Sequence, residues 1–469
     1  MLKIQDISTK FNTNGFHWIP SDLIKEFSFY RCYIATQWVW RPTGLFVEPM
    51  WQAATSQVTG YDSYFKNMKD LGVLVVPCLN QSPDWILEGW PADHPHRAEI
   101  KPIYKDDDPL DPISYRYIGK FFFQWAARYG KVQYPDEILE VDPTSRWIGD
   151  GPNIKKSGLN LLNYVEVWNE PDGWWRTPEA RFTPEEYACM LSVCYDGHEG
   201  LIPHCGIKTA DESMKVVMGG LSNMNTDYLT AMNEWFKQNR TDQKFCADII
   251  NFHHYCNEGN GPGYMPVQWT KGCSPEADNL RGRLKTIVDW KKQNTPKSKV
   301  WYSEFGYDTN PSGYSWQKSL AYNNKSGEEV QAEWLARTYL ESIAAKVDNM
   351  FMFNAVDEPC FASGGLWCSS GMLKAQYSPT PYAKKPSWFS ITYLIQALKG
   401  FRYSKDLSKD NIRLLLFTNK SHDVKLAVWT ADGSESEIDL FGIVVPIGGL
   451  PKIFEAPSKQ STQSKNKKV

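Results

Sequence analysis

The sequence lacks the features that would place it in several large functional classes. It contains no run of about 18 apolar residues, so no membrane-spanning helix is expected. Its formal net charge is only −3 and its basic residues are spread along the chain, which gives no electrostatic basis for binding nucleic acid or an anionic membrane. No glycine-rich phosphate loop and no Gly-x-Ser-x-Gly nucleophile motif is present.

Metal-binding motifs are also missing. The ten cysteines include no Cys-x-x-Cys pair, and most should be buried as small apolar residues. Cys360 and Cys368 flank a Gly-Gly loop and could form a disulfide if the protein is exported. Asp93, His94 and His96 superficially suggest metal ligands, but a proline constrains the two histidines and no third spaced ligand follows. We predict no metal and no cofactor.

What the chain does contain is an alternation of short apolar runs with amphipathic segments, the pattern of a parallel α/β fold. The predicted strands are 11–18, 29–38, 72–79, 163–168, 216–220, 249–255, 300–304 and 350–356. Eight strands suit a closed (β/α)₈ barrel, also called a TIM barrel. The predicted helices include 61–71, 115–129, 184–197, 280–292, 328–347 and 388–398.

The predicted organisation is a barrel over residues 1–402, a small antiparallel β domain at 403–457 and a disordered polar tail at 458–469. The connection between the third and fourth strands, at about 80–162, is unusually long. Long loops at the functional face of a barrel usually shape the ligand site. Trp85, Trp90 and Trp147 in this connection are therefore candidate ligand platforms, although each could simply pack the loop.

Two glutamates end or follow predicted strands in the same way. Glu170 follows the apolar strand of Tyr164-Val-Glu-Val-Trp-Asn-Glu170, and Glu304 ends Val300-Trp-Tyr-Ser-Glu304. The carboxyl ends of barrel strands meet at one face, so both groups can converge on one pocket. A carboxylic acid that protonates the leaving oxygen and a carboxylate that attacks the sugar are the groups that retaining glycoside hydrolysis needs. We expect Glu170 to be the acid/base and Glu304 the nucleophile.

Side chains near the two glutamates are candidates for binding the substrate or supporting the reaction. Strand alternation predicts Glu166, Trp168 and Glu170 on one face. Asn169 could contact a sugar 2-hydroxyl. A nucleophile that stays ionised needs hydrogen-bond donors, for which the candidates are Arg31, His253 and Tyr255. Arg31 could equally belong to an ordinary ion pair inside the barrel.

Aromatic residues make up 14% of the chain, including 20 Trp and 24 Tyr. Sugar rings bind by stacking their C–H faces on aromatic planes. Trp174 and Trp175 directly follow the Asn-Glu-Pro-Asp-Gly segment and are candidates for this role. Asp357 could add a polar sugar contact or could be part of a surface pair.

The order of these motifs resembles a known enzyme superfamily. Asn-Glu-Pro after strand four, Glu after strand seven and His-x-Tyr on strand six resemble the retaining (β/α)₈ glycosidases of clan GH-A, most closely the family 39-like and family 5-like branches. The resemblance implies that Glu170 is the acid/base, Glu304 the nucleophile, Asn169 the 2-hydroxyl contact and Tyr255 a donor to the nucleophile. Many relatives carry Trp on the eighth strand as the floor of the −1 subsite. Here that strand has none, and Trp367 could replace it from outside the strand.

The sequence therefore predicts a retaining glycoside hydrolase that cleaves β-glycosidic bonds of a polysaccharide or oligosaccharide, with endo action favoured. An exo-acting enzyme of the same clan and a catalytically inactive carbohydrate-binding barrel remain as alternatives. Inverting hydrolysis would need carboxyl groups about 6.5–9.5 Å apart instead of about 5–5.5 Å.

The sequence gives weaker evidence for the cellular location and none for the oligomeric state. Residues 1–8 show no signal peptide. Because polysaccharides are met outside the cytoplasm, we expect a bacterial protein exported to the periplasm, the cell surface or the medium, with its signal absent. A cytoplasmic location stays open, and nothing indicates the oligomeric state.

Overall fold

The computed structural model of the chain describes residues 6–15, 19–47, 50–52, 57–144, 152–258, 271–312, 315–358, 365 and 367–457. The strands are β1 (Phe11–Gly15), β2 (Phe29–Ala35), β3 (Trp40–Arg41), β4 (Gly44–Leu45), β5 (Met50–Gln52), β6 (Gln57–Thr59), β7 (Leu74–Asn80), β8 (Tyr164–Val167), β9 (Lys215–Met218), β10 (Ile249–His253), β11 (Lys299–Glu304), β12 (Asn349–Met352), β13 (Arg402–Asp406), β14 (Ile412–Thr418), β15 (Val424–Thr430), β16 (Ser436–Leu440), β17 (Ile443–Ile447) and β18 (Lys452–Glu455).

The α-helices are α1 (Ser21–Ile24), α2 (Thr36–Val39), α3 (Tyr61–Asp70), α4 (Arg116–Tyr129), α5 (Pro184–Asp196), α6 (Ile207–Ala210), α7 (Thr226–Asn239), α8 (Leu280–Asn294), α9 (Gly327–Ala344) and α10 (Pro386–Ala397). Short 3₁₀ helices cover Ile7–Lys10, Arg97–Glu99 and Pro112–Tyr115. Among the described helices, none combines the length and the apolarity that crossing a bilayer requires.

Eight strands form a closed barrel in the order β1-β12-β11-β10-β9-β8-β7-β2. The pairing is parallel, as between β2 and β7, where Phe29 lies opposite Leu74 and Ala35 opposite Asn80. Each barrel strand coincides with one of the eight runs predicted from the sequence, so the predicted (β/α)₈ fold is confirmed. Its strands are buried on both faces, which explains why they appear in the sequence as nearly continuous apolar runs.

The helices begin where the sequence provides capping residues. Thr183 caps α5 and Ser326 caps α9, and in each case the glutamate three residues later returns a hydrogen bond to the backbone of the cap. These capping boxes satisfy backbone groups that a helix start leaves unpaired. The predicted helices at 184–197 and 328–347 are thereby confirmed to within a few residues.

The long connection from β7 to β8 contains α4, as predicted. Its residue Val141 forms a parallel bridge with Leu45 of β4, and Asp142 N donates to Leu45 O over 2.8 Å. Backbone hydrogen bonds thus hold the loop after β2 against residues 141–142 of this connection. Trp147 lies outside the described residues.

The C-terminal region contains a four-stranded antiparallel sheet in the order β13-β14-β15-β18 and a hairpin of β16 with β17. A small core of Leu426, Val428, Leu440 and Ile447 packs in this region. The chain forms two compact units, one of residues 14–254 and 289–303 and the other containing the remaining described residues. The boundary predicted at residue 402 stays a prediction, and the predicted tail at 458–469 lies outside the described residues.

Of the cysteines that the structure describes, eight are buried thiols, as the sequence suggested. Cys368 is disulfide-bonded. Cys360, which the sequence offered as its partner, lies outside the described residues.

Removing the Tyr187 hydroxyl should destabilise the barrel. This buried hydroxyl donates to Val167 O over 2.7 Å and accepts from Gly219 N over 2.6 Å, so it joins the ends of β8 and β9. Tyr187→Phe leaves two buried backbone groups unpaired and should lower the free energy of unfolding by about 1–3 kcal/mol. Urea unfolding would measure it, with Tyr377→Phe at an exposed tyrosine as the control. Equal stability of the two variants would contradict the account.

Candidate active site

The Asn-Glu-Pro turn after β8 has an unusual backbone. Trp168 and Glu170 have φ angles of 75° and 47°, in the left-handed region that residues with large side chains rarely adopt. Neighbouring strands hold the turn in place, because Trp168 N donates to Leu79 O and Glu170 N donates to Gly220 O, each over 3.0 Å. Such strain persists only where the surroundings impose it, and it is often found at functional sites.

This backbone changes the predicted direction of one side chain. Strand alternation predicted Glu166, Trp168 and Glu170 on one face. In the structure Glu166 and Glu170 both contact β10, whereas the Trp168 ring packs 5.5 Å from the Phe182 ring. The prediction was wrong for Trp168, because a positive φ at this residue interrupts the alternation of the strand.

His253 on β10 is the partner of Glu170. Its Nδ1 lies 2.9 Å from Glu170 Oε1, and its Nε2 lies 3.0 Å from Ser303 Oγ. The imidazole is fully buried, and a Cβ atom on Gly220 would lie 2.1 Å from Nε2, so glycine is required beside it. Glu170 Oε2 accepts no hydrogen bond from the described part of the chain, which leaves this oxygen available to carry a proton. The sequence had offered His253 as a donor to Glu304, and that role stays a prediction.

Arg31 on β2 contacts Asn169 of this turn and is fully buried. Its Nε and Nη2 donate to the two oxygens of Glu166 over 2.6 and 2.8 Å, and Nη2 also donates to Asn169 Oδ1 over 2.8 Å. Burial alone would lower the pKa of Arg31, but Glu166, with smaller contributions from Tyr33 and Cys78, raises this pKa above its usual value. Arg31 was predicted to contact substrate or nucleophile. The structure instead gives it buried protein partners, which fits the ion-pair alternative.

The contact with Arg31 orients the Asn169 amide. Because Oδ1 accepts from Arg31, the Nδ2 group is the free end, and it donates no hydrogen bond within the described residues. Asn169 is half-buried. This orientation suits the predicted contact with a sugar hydroxyl, which stays a prediction.

Arg176 holds the turn from the other side, and sequence reasoning did not identify it. It donates to Glu170 O and, over 3.4 Å, to Asn169 O, while its Nη2 lies 3.0 Å from Glu99 Oε1. A Cβ atom on Gly173 would lie 2.6 Å from its Nη1. The one sequence signal was an arginine six residues after Glu170, behind a glycine that leaves room for it.

The tryptophans near the turn differ in their surroundings. Trp174 and Trp175 form a perpendicular pair with ring centroids 5.6 Å apart, and Trp175 is 38% exposed. Trp85 in the long connection packs perpendicular to Trp40 and Tyr117, which agrees with the loop-packing alternative. The predicted stacking of sugars on Trp174 and Trp175 stays a prediction.

Glu304 is the last residue of β11 and is 7% exposed. The Tyr255 hydroxyl donates to Glu304 Oε2 over 2.9 Å, which is the contact that the resemblance implied. The Trp367 ring lies 4.3 Å from the Tyr255 ring and 6.2 Å from the Phe353 ring. A loop tryptophan therefore lies beside the partner of the candidate nucleophile, and its role as the floor of the −1 subsite stays a prediction.

Asp357 does not reach a surface where a sugar could bind. It is only 2% exposed, its Oδ1 lies 3.2 Å from Lys385 Nζ, and it accepts a hydrogen bond from Gly371 N over 2.9 Å. Burial raises the pKa of Asp357 and the lysine opposes that shift. The predicted sugar contact is replaced by an internal ion pair, because Lys385 and the backbone of Gly371 lie against this carboxylate.

No protein-family model and no curated protein matches the chain. Solved structures do resemble it. A family 39 glycoside hydrolase from Bacteroides cellulosilyticus has a TM-score of 0.62 at 15% identity, over 96% of this chain and 82% of that chain. The family 51 α-L-arabinofuranosidase AbfB from Bifidobacterium longum has a TM-score of 0.52 at 14% identity, over 94% and 86%. An endo-β-1,6-glucanase has a TM-score of 0.51 at 12% identity, over 95% and 84%.

The predicted (β/α)₈ barrel is confirmed as a fold. The similar structures of families 39 and 51 match nearly the whole chain, and membership of clan GH-A stays a prediction. At these identities the likeness concerns the fold, and it leaves the roles of individual side chains to the geometry of the site.

Asp172 should make stability depend on pH. Burial, together with the nearby Glu170, raises the pKa of Asp172 to about 6, although hydrogen bonds from Ser222 oppose the shift. Between about pH 4 and 6 the unfolded chain loses this proton while the folded protein keeps it, so stability falls as pH rises. Asp172→Asn cannot ionise and should therefore gain up to about 3 kcal/mol relative to wild type at pH 8.

Urea unfolding of wild type and Asp172→Asn at pH 4 and pH 8 would measure this difference. The matched control is Asp106→Asn at an exposed position. An equal effect of Asp172→Asn at both pH values would contradict the assignment of the shift to this carboxyl.

Proposed function

We propose that this protein is a retaining β-glycosidase with Glu304 as nucleophile and Glu170 as acid/base. The observation that carries the proposal is that the two carboxyl groups, each at the carboxyl end of a barrel strand, have different hydrogen-bonding environments. In barrel enzymes the strand ends open onto one catalytic face, so two such groups can act on one substrate. Pairs of carboxyls with different surroundings are the basis of acid and nucleophile assignments in glycosidases.

Glu304 is suited to attack. The hydrogen bond that it accepts from Tyr255 stabilises its carboxylate form, and its low exposure limits competition from water. In the first step a Glu304 oxygen bonds to the anomeric carbon while the bond to the leaving oxygen breaks. The Tyr255 hydroxyl orients this carboxylate through its hydrogen bond to Oε2.

Glu170 is suited to move a proton. With Oε1 against His253, the proton is carried on Oε2 and passes to the leaving oxygen as the glycosidic bond breaks. A water then attacks the glycosyl-enzyme and returns its proton to Oε2, and the ester bond to Glu304 breaks. Two displacements at one carbon give net retention. His253 and its contact with Ser303 act by holding Oε1 in place throughout.

The site residues indicate the type of reaction more closely than they indicate which sugar is cleaved. Structural neighbours include an α-L-arabinofuranosidase and an endo-β-1,6-glucanase, so the fold accommodates different sugars and linkages. An endo-acting enzyme is favoured because Trp174 and the exposed Trp175 follow the acid and offer stacking surfaces beyond the cleavage point. Export from the cell is the corresponding proposal for location, since polysaccharides are met outside the cytoplasm.

The proposal predicts a specific loss of activity in two variants. Reducing-end release from a panel of plant, algal and host glycans, with aryl glycosides beside them, should reveal one class of substrate for wild type. Glu304→Gln should abolish turnover, and Glu170→Gln should lower it by about 10²–10⁴-fold on natural substrates. The loss should be smaller on aryl glycosides, whose leaving groups need little protonation. Glu212→Gln, at an exposed position, is the control.

Added azide distinguishes the two roles. In Glu170→Gln it should attack the glycosyl-enzyme and give a glycosyl azide of retained configuration, because this attack needs no general base. In Glu304→Ala it should enter the vacated space and give the opposite anomer. Undiminished turnover by Glu304→Gln would overturn the nucleophile assignment. Glycan binding without any turnover by wild type would instead favour an inactive carbohydrate-binding barrel.

A further inference from the structure

Asp308 is a buried carboxylate four residues after Glu304, and the reaction proposed above does not use it. It is 1% exposed and makes no ion pair with a described lysine or arginine. Five neutral donors surround it: Ser315 Oγ, Gln317 Nε2 at 3.1 Å, Trp367 N at 3.1 Å, Ser369 N at 2.8 Å and Ser369 Oγ at 2.9 Å. Burying a charge without a counter-ion is costly unless several strong hydrogen bonds compensate. Such a group therefore suggests a structural purpose.

The two oxygens of Asp308 accept hydrogen bonds from different sets of donors. Oδ1 accepts both bonds from Ser369, whereas Oδ2 accepts from Ser315, Gln317 and the Trp367 backbone. Ser315 Oγ also accepts from Trp367 N over 3.1 Å. The loop after β11 is thus joined through one carboxylate to the loop that carries Trp367.

Trp367 needs such an anchor. Its φ angle is 66°, in the left-handed region, so its neighbours must impose the conformation. In this conformation its ring packs 4.3 Å from Tyr255 and 5.2 Å from Trp316. Tyr255 in turn donates to Glu304.

We propose that Asp308 is a positioning residue that fixes Trp367 against Tyr255 and thereby forms the aromatic wall of the sugar site beside Glu304. The inference rests on the proposed glycosidase function. Asp308 acts on substrate binding through Trp367, and it touches neither the substrate nor the reacting atoms. Losing the anchor should therefore weaken binding more than it slows chemistry.

Asp308→Asn is the most direct test. The amide keeps one acceptor oxygen, which can still serve Ser369, but it turns an N–H₂ group towards the donors of Ser315, Gln317 and Trp367. Ser369→Ala is the matched control, because it removes the Ser369 Oγ bonds to Asp308 Oδ1 and Asn310 N and leaves the bond to Trp367 N in place. Hydrogen exchange of the 365–369 segment should become faster in Asp308→Asn and change little in Ser369→Ala.

Steady-state kinetics on the glycan that wild type cleaves provide the second measurement. Asp308→Asn should raise KM by about tenfold, the factor expected for losing one buried hydrogen bond, and change kcat little. The same substitution in a Trp367→Ala background should have no further effect on KM, because the wall is already removed.

Faster exchange together with a raised KM and non-additivity supports the inference. Unchanged exchange at 365–369, an unchanged KM, or additive effects of the two substitutions would overturn it. If Asp308→Asn does not fold, Ser315→Ala removes the shared partner of Asp308 and Trp367 more gently and should give the same pattern. If wild type cleaves no glycan, the proposed function fails, while the exchange measurement still decides whether Asp308 anchors this loop.

Discussion

The ion pair between Arg31 and Glu166 is the interaction on which the acid side of the site depends. Both groups are fully buried inside the barrel, and they join β2 to β8. Glu166 also accepts from Asn251 Nδ2 over 3.1 Å and from Gly220 N over 3.2 Å, so one carboxylate connects four strands or strand ends. Removing one partner of such a pair typically costs about 3–5 kcal/mol, because it leaves a buried charge unpaired. The pair therefore specifies which side chains meet at this end of the barrel.

Three buried side chains position the Asn-Glu-Pro turn and its glutamate. Arg31 turns the Asn169 amide, Arg176 holds the carbonyls of the Asn-Glu-Pro turn, and His253 occupies Glu170 Oε1. A strained turn would relax without these contacts. Their combined effect is to leave two polar groups without partners in the described residues, Asn169 Nδ2 and Glu170 Oε2. Those are the groups that the proposed reaction requires for a sugar hydroxyl and for the transferred proton.

The sequence predicted the parts of this structure that depend on local pattern. Apolar runs located the barrel strands because parallel strands buried on both faces can contain little else. Glu170 and Glu304 were found because a carboxyl group at the end of an apolar strand is uncommon. Partners across the barrel were harder to predict, since Arg31 and Glu166 are 135 residues apart and either could have paired elsewhere. The sequence also did not predict backbone conformations such as the positive φ of Trp168, because they arise from tertiary contacts and not from residue type.

The anomeric configuration of the first product distinguishes a double displacement from a single one. Once a cleaved glycan is identified, ¹H NMR during the first minutes of reaction would show which anomer forms before mutarotation. The first product should have the same configuration as the bond that was cleaved, because Glu304 and then water displace at the same carbon. Initial formation of the opposite anomer would show a single displacement by water and would contradict Glu304 as a nucleophile.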